Sequence, residues 1–309
     1  MYKKFFGLRD LPFACSPDPR FLYVVPEIQE ALACLQYGIA ARKGFVVLTG
    51  EVGTGKTTIV KAVLDSLAKD RVCTAFVFNP RLNVLDFLEF VLSDFGIRVA
   101  SRTKAGMLMQ LNSWLIERYR DRMLCTIVVD EAQNLSWELL EEIRLLTNLE
   151  TKTDKLLQIV LAGQPELEQK LLQPRLRQLR QRIALWSKTR SLTSEETHAY
   201  IDQRLKVAGA TEQLFPDDSA EAVFRCSQGV PRLINLICEH ALISAYVDHV
   251  KPIPAAIIEA VGADLDLEGK SVCESGGNRQ LVSKPSGPVA LKKIKEISNG
   301  VHGPIEVEI

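Results

Sequence analysis

Eight consecutive residues, Gly50-Glu51-Val52-Gly53-Thr54-Gly55-Lys56-Thr57, hold the most readable chemistry in this chain. They satisfy the pattern G-x-x-x-x-G-K-[ST] in the context it requires. The apolar run Phe45-Val46-Val47-Leu48 stands ahead, and Ile59, Val60, Val63, Leu64 and Leu67 recur behind at helical spacing. Glycines let the backbone turn tightly and aim several N–H groups inward at phosphate oxygens. The helix, predicted to begin around Gly55 and Lys56, adds the partial positive charge of its N-terminus. Lys56 brings a full charge for β- and γ-phosphates, the Thr57 hydroxyl can ligate magnesium, and Thr58 carries the binding set into the helix. This is a cradle for a nucleoside triphosphate, with ATP and GTP not distinguished.

A second run, Leu124-Cys125-Thr126-Ile127-Val128-Val129-Asp130-Glu131, ends an apolar strand in two carboxylates. Ligands of open α/β sheets bind at that edge. Asp130 there can hold the magnesium through water, and Glu131 can polarise the attacking water.

The elements that must position these groups follow from periodicity. Apolar runs predict buried strands at 45–48, 72–78, 124–129, 156–162 and 183–186. Amphipathic stretches between them suit the crossovers of a parallel sheet, so the class is α/β. The fourth strand runs into Gly163-Gln164-Pro165-Glu166, which puts an amide at the sheet edge. From about 193 the pattern becomes all-helical, with helices opening at Ser194-Glu195-Glu196-Thr197, spanning Pro216 to Cys226, starting at Gly229-Val230-Pro231-Arg232, and spanning Pro254 to Val261. The expected division is 1–44, an aromatic N-terminal strap and helix; 45–192, the nucleotide core; 193–265, a helical lid; and 266–309, a flexible tail without sustained apolar period. Within the first piece, Phe5, Phe6, Phe13 and Phe21-Leu22-Tyr23 must pack on something. They form either a strap over the core or, at Phe21 to Tyr23, a contact near the nucleotide base.

Composition excludes several classes. The 309 residues carry 38 basic and 38 acidic side chains, so net charge argues neither for nor against nucleic acid. Seven scattered cysteines, never in a C-x-x-C pair, read as free thiols in a reducing compartment. Four dispersed histidines give no metal-ligand spacing. No apolar signal core or membrane-length run is found, so a cytoplasmic location is expected. Between 174 and 190 stand Arg175, Arg177, Arg180, Arg182, Lys188 and Arg190 with no acidic residue among them. Three readings stay open: a solvated helix face, a nucleic-acid contact, or an arginine offered to a neighbouring subunit's nucleotide.

Taken together, the five-strand core, the helical lid and Gly229-x-Pro231-Arg232-x-Ile234-Asn235 resemble an AAA+ P-loop NTPase. The opening Phe5-Phe6-Gly7-Leu8 … Pro12-Phe13 … Pro17-Asp18-Pro19-Arg20-Phe21-Leu22-Tyr23 is more discriminating. With Gly44 to Gly53 and Gly163-Gln164-Pro165-Glu166-Leu167, it makes residues 1–265 resemble the general secretion pathway protein A family of bacterial ATPases. The resemblance implies that Asn79 is a polar switch restraining Glu131. It implies that Gln164 is the sensor-1 residue, that Arg232 is the sensor-2 arginine, and that Arg180 or Arg182 is the arginine finger.

It also implies an ATP-hydrolysing, Mg2+-dependent homo-oligomer that assists assembly of a secretion, pilus or envelope export machine. Longer members of the family carry a membrane span and a peptidoglycan-binding domain after the ATPase. Neither is read in these residues, so attachment to the inner membrane is expected through a partner. The competing expectation is a DNA-associated regulator of the transposition-helper type, using the 175–190 arginines and the basic tail on phosphates.

Overall fold

The computed structural model describes residues 1–14, 16, 18–67, 72–78 and 80–265. Asn79 and the tail expected over 266–309 therefore lie outside the described residues. The chain divides into two compact units, Pro17–Ser191 and Met1–Ser16 together with the residues from Leu192 on. The expected N-terminal piece 1–44 is thus split, its first part packing with the C-terminal helices that follow the sheet.

In chain order, a short helix α1 (Tyr2–Phe6) is followed by α2 (Pro26–Ala40), β1 (Phe45–Thr49), α3 (Lys56–Leu67), β2 (Val72–Val77), α4 (Val84–Asp94) and α5 (Lys104–Arg120). Then come β3 (Leu124–Val129), α6 (Trp137–Leu146), β4 (Gln158–Gly163), α7 (Pro165–Leu171), the single turn α8 (Arg177–Arg180) and β5 (Ile183–Lys188). All pairings among these strands are parallel, in the order β2-β3-β4-β1-β5. The three inner strands are buried at every residue, which is why each reads as an unbroken apolar run. Edge strands β2 and β5 are only partly buried.

One sheet face packs on α4 to α8 through residues such as Phe87, Leu111, Leu139, Ile143 and Leu171. On α2, a Cβ at Gly38 would stand 2.4 Å from Val46 Cγ2, so that helix lies tight against β1. The turn Pro19–Phe21, capped by the Asp18 carboxylate, packs against α3 with Phe21 buried. The fourth strand starts at Gln158 rather than Leu156. Its buried side chain accepts from the Gly44 amide at 2.9 Å and donates to the Lys155 carbonyl at 3.0 Å, fixing the turn before the strand.

The helical unit holds α9 (Ser194–Val207), α10 (Asp217–Ser227), α11 (Pro231–Val247) and α12 (Ala255–Asp264). The cap of α9 differs from the expected Ser194 start. Thr193 accepts from the Glu196 amide, and the Glu196 carboxylate accepts from the Thr193 amide. A reciprocal box of this kind satisfies two orphan donors, which Ser194 with Thr197 does not do.

The first sixteen residues are built into this unit. Phe13 is fully buried against Phe215 at 5.9 Å between ring centroids. The Tyr2 hydroxyl donates to the Glu239 carboxylate at 2.8 Å, and burial first, then Glu239, pushes its ionisation far up. Arg204, itself buried, donates to the Pro12 carbonyl at 2.6 Å and to the Tyr200 hydroxyl at 2.9 Å. Tyr200 in turn donates to Asn235 Oδ1 at 2.9 Å. Asn235, first singled out in a motif, is therefore a member of a buried polar network.

Gly229 (φ +70) meets Leu192 so closely that a Cβ would stand 1.9 Å from the Leu192 carbonyl oxygen. Gly7 has the same left-handed backbone (φ +71) but open space beside it. Gly7→Ala is expected to cost about 1 kcal/mol, the conformational term alone. Gly229→Ala should cost about 3 kcal/mol or more, because backbone must move to clear the clash. Urea denaturation of the two variants measures the difference.

Candidate functional site

Parallel pairing delivers the C-terminal ends of β1, β3 and β4 to one edge of the sheet, where the residues singled out for chemistry meet. At the end of β1 the Gly50 amide donates to the Gly163 carbonyl at 3.2 Å. A Cβ at Gly50 would stand 1.9 Å from Thr189 Oγ1 and 2.8 Å from the Thr189 carbonyl oxygen. Thr189 also meets Thr54, hydroxyl to hydroxyl, at 2.7 Å, and Thr54 donates to the Glu51 carbonyl at 2.8 Å. Thr189, just beyond β5, is thus a buttress of the loop that sequence reasoning missed. Its nearness depends on β5 pairing with β1, and no local motif signals it.

Gly53 (φ +81) and Gly55 (φ +89) supply the left-handed turns that aim the backbone inward. Beside Gly55 a Cβ would touch nothing, so that glycine is required by its left-handed backbone rather than by lack of space. Lys56 is buried and donates to the carbonyls of Gly50 and Glu51, each at 2.8 Å. Burial holds its ammonium below the usual value, while Glu131, Asp130, Glu51 and Glu166 pull it back up. Glu51 and Val52 face solvent at the loop tip, and Thr58 is half-buried on the first turn of α3.

The Thr57 hydroxyl donates to Asp130 Oδ2 at 2.6 Å, joining the loop to the end of β3. Asp130 Oδ1 accepts from the Glu131 amide at 2.9 Å, and the Asp130 amide donates to Val77 on β2 at 3.0 Å. Glu131 adopts the left-handed conformation (φ 52, ψ 36), which costs a side chain with Cβ about 1–2 kcal/mol.

Three contacts surround that strained residue. Gln133 Nε2 donates to Glu131 Oε2 at 2.6 Å, and Gln164 Nε2 donates to the same oxygen at 3.0 Å. The Gln164 amide donates back to Gln133 Oε1 at 3.1 Å, closing a ring of hydrogen bonds across the ends of β3 and β4. Gln164 is also the residue before α7, with Pro165 opening the helix. Gln133 was not among the expected site residues.

These groups fit a polyphosphate with a hard divalent cation. The first-turn amides of α3, the left-handed loop and the buried ammonium form a cationic donor set. A hydroxyl and a carboxylate oxygen in contact at its rim are the oxygen ligands magnesium takes beside phosphates. Thr57 would hold the ion directly, and Asp130 through water.

The remaining expected residues are dispersed. Arg182 donates to Thr147 Oγ1 and Asn148 Oδ1, each at 2.6 Å, and to the Arg144 carbonyl at 3.4 Å, all at the C-terminal end of α6. Arg180 gives one bond at 3.1 Å, to the Leu172 carbonyl. Arg175 lies over the Trp137 ring, Lys188 pairs with Glu168 at 2.8 Å, and Arg190 with Glu27 at 2.8 Å. The basic run is thus largely engaged by its own unit. Arg232 belongs to the helical unit and is exposed on the first turn of α11, while Pro231 opens that helix.

Three comparisons bear on these findings. Residues 39–171 match the family model described as an AAA domain. Over 247 residues the chain is 44% identical to general secretion pathway protein A of Aeromonas hydrophila, an alignment covering 80% of this chain and 45% of that protein. The chain thus spans less than half the length of the relative it matches. Among solved structures it is similar to Cdc6p of Pyrobaculum aerophilum, at TM-score 0.62 and 20% identity, covering 78% of this chain and 67% of that one. It is similar also to the Aeropyrum pernix ORC2 protein in its ADPNP–ADP complexes, at TM-score 0.60 and 16% identity, covering 83% and 75%. At these identities the two structures speak to fold alone.

The contrast between the two arginines is measurable. Arg182→Ala should lower the stability of the chain by about 1–2 kcal/mol, since it uncaps the end of α6. Arg180→Ala should cost about 0.5 kcal/mol or less, as expected of a partly exposed single contact. Thermal or urea unfolding of each variant reads the difference.

Proposed function

Since this chain carries an AAA+ nucleotide-binding domain of the general secretion pathway protein A type, we propose that it binds ATP with magnesium and hydrolyses it to drive assembly of a secretion, pilus or envelope export machine. The observation that carries the hydrolytic reading is the contact between Thr57 and Asp130, which unites the phosphate loop and the carboxylate strand beside a held Glu131. In this reading the α3 amides and Lys56 take the phosphate oxygens, exchanging the loop carbonyls that Lys56 now serves. Bound magnesium, held by Thr57 and through water by Asp130, supplies charge neutralisation on the β- and γ-phosphates.

Glu131 then takes a proton from the attacking water. Both donors fall on its Oε2, which leaves Oε1 for that role. Gln164 bridges Glu131 and the γ-phosphate position as sensor 1. Asn79, outside the described residues, keeps the polar-switch role toward Glu131 that the resemblance implies. Arg232 is the sensor-2 arginine of the helical unit, and the finger is Arg180, since Arg182 serves α6. The finger acts in trans, within a nucleotide-dependent homo-oligomer. The site of action is the cytoplasmic side of the inner membrane, reached through a protein partner. No helix among the described residues is long and apolar enough to cross a membrane. The engaged basic run gives no support to the DNA-regulator alternative.

Lys56→Ala should abolish ATP binding, whereas Glu131→Gln should bind ATP and lose turnover by at least ~100-fold. Fluorescent-nucleotide titration beside phosphate release separates the two effects. A Glu131→Gln protein that turned over like the parent would overturn the base assignment. Arg180→Ala should bind ATP normally, hydrolyse it slowly, and recover activity when mixed with Lys56→Ala subunits, each lending the other its missing part across a shared site. A retarded band with plain duplex DNA that disappears with salt would instead favour the DNA reading.

A further inference from the structure

Glu131 stands at the mouth of the site in a backbone conformation that its own sequence does not favour, and Gln133 is the residue that answers for it. The Gln133 amide spans two elements. Its Nε2 donates to Glu131 Oε2 at 2.6 Å, beyond β3, and its Oε1 accepts from the Gln164 amide at 3.1 Å, beyond β4. A flipped amide would set NH2 against the Gln164 N–H, so these two contacts dictate which end of Gln133 faces Glu131. Its backbone is tied as well, since the Gln133 carbonyl accepts from Lys170 on α7 at 3.3 Å. Room for the side chain is built into β4. A Cβ at Gly163 would stand 3.0 Å from Gln133 Oε1 and 2.8 Å from Leu167 Cδ2.

From this geometry we infer that Gln133 is a positioning residue for hydrolysis, fixing the Glu131 carboxylate by one oxygen so that the other faces the attacking water. The inference rests on Glu131 as the base. Gln133 touches no reacting atom; it acts through Glu131 and through Gln164, whose amide it orders. Because a carboxylate on a left-handed residue has other rotamers open to it, the ring of contacts selects one of them. The role belongs to the chemical step, so kcat should fall while the phosphate-binding groups are left alone.

The test uses the full chain with two variants, Gln133→Ala and the isosteric Gln133→Glu. The first removes both contacts. The second keeps an acceptor for the Gln164 amide and replaces the donor with a second negative charge facing Glu131. Both should lower kcat by about 10–100-fold, as outer-shell partners of catalytic groups do. KM and the dissociation constant of a fluorescent ATP analogue should stay within about threefold. Gln133→Glu keeps the volume of the side chain and opens no cavity, so a poorly folded Gln133→Ala leaves the question decidable, with melting curves of both variants reporting the fold.

In a Glu131→Gln background, Gln133→Ala should add no further loss. Wild-type kcat in both single variants, with Glu131→Gln inactive, would overturn the positioning role while leaving the base in place. An equal loss of ATP affinity and kcat would overturn it too, by making Gln133 a prop of the loop. An active Glu131→Gln protein would instead overturn the base assignment on which this inference stands.

Discussion

Everything at the C-terminal edge of the sheet depends on the parallel pairing of β1 with β4 and of β4 with β3. Three buried strands running the same way must end at the same edge, and each hands a different chemistry to it. β1 gives the phosphate loop, β3 the two carboxylates and β4 the glutamine amide. Burial on both faces fixes the register, since a slip by one residue would exchange every side chain between the two packed faces. The contacts of 2.6 to 3.2 Å that lace the edge together are the local consequence of that register.

At that edge the chain holds conformations and charges that are costly by themselves. Lys56 keeps an ammonium in a buried place, and Glu131 keeps a left-handed backbone. Neither would persist unless the surroundings over-determined it. Lys56 is surrounded by carboxylates and loop carbonyls, Glu131 by two glutamine amides. Strain of this kind gathers where geometry is set in advance for a ligand, since a relaxed arrangement would have to reorganise at the moment of reaction.

The helical unit solves a different problem. Its helices bury polar Arg204 and Tyr200, and a buried guanidinium must be given acceptors, since leaving it without them would cost several kcal/mol in rough terms. The carbonyl of Pro12 and the amide of Asn235 complete the set, so the first sixteen residues are as much a part of this unit as the last helices. Burial pushes the Tyr200 hydroxyl up, which keeps it a neutral donor within the network.

The local pattern of the chain determined a good deal. The phosphate loop, the Asp130–Glu131 pair, the five strands and the helical character beyond 193 all follow from short-range chemistry, because strand burial and helix amphipathicity write their periods directly into the residues. The fold class rests on those same runs, and the resemblance adds to them the opening motif from Phe5 to Tyr23 and Gly163-Gln164-Pro165-Glu166-Leu167. Tertiary structure alone decided the rest. Thr189 supports the loop, Gln133 holds Glu131, and Arg182 caps α6 rather than standing open, yet none of these roles has a local signature. Each is a contact between residues far apart in the chain, brought together by strand order and helix packing. The division of the N-terminal segment is of the same kind. Phe5, Phe6 and Phe13 announce that they must be buried, but apolar pattern carries no address, and only packing showed that their partners are the helices after Leu192.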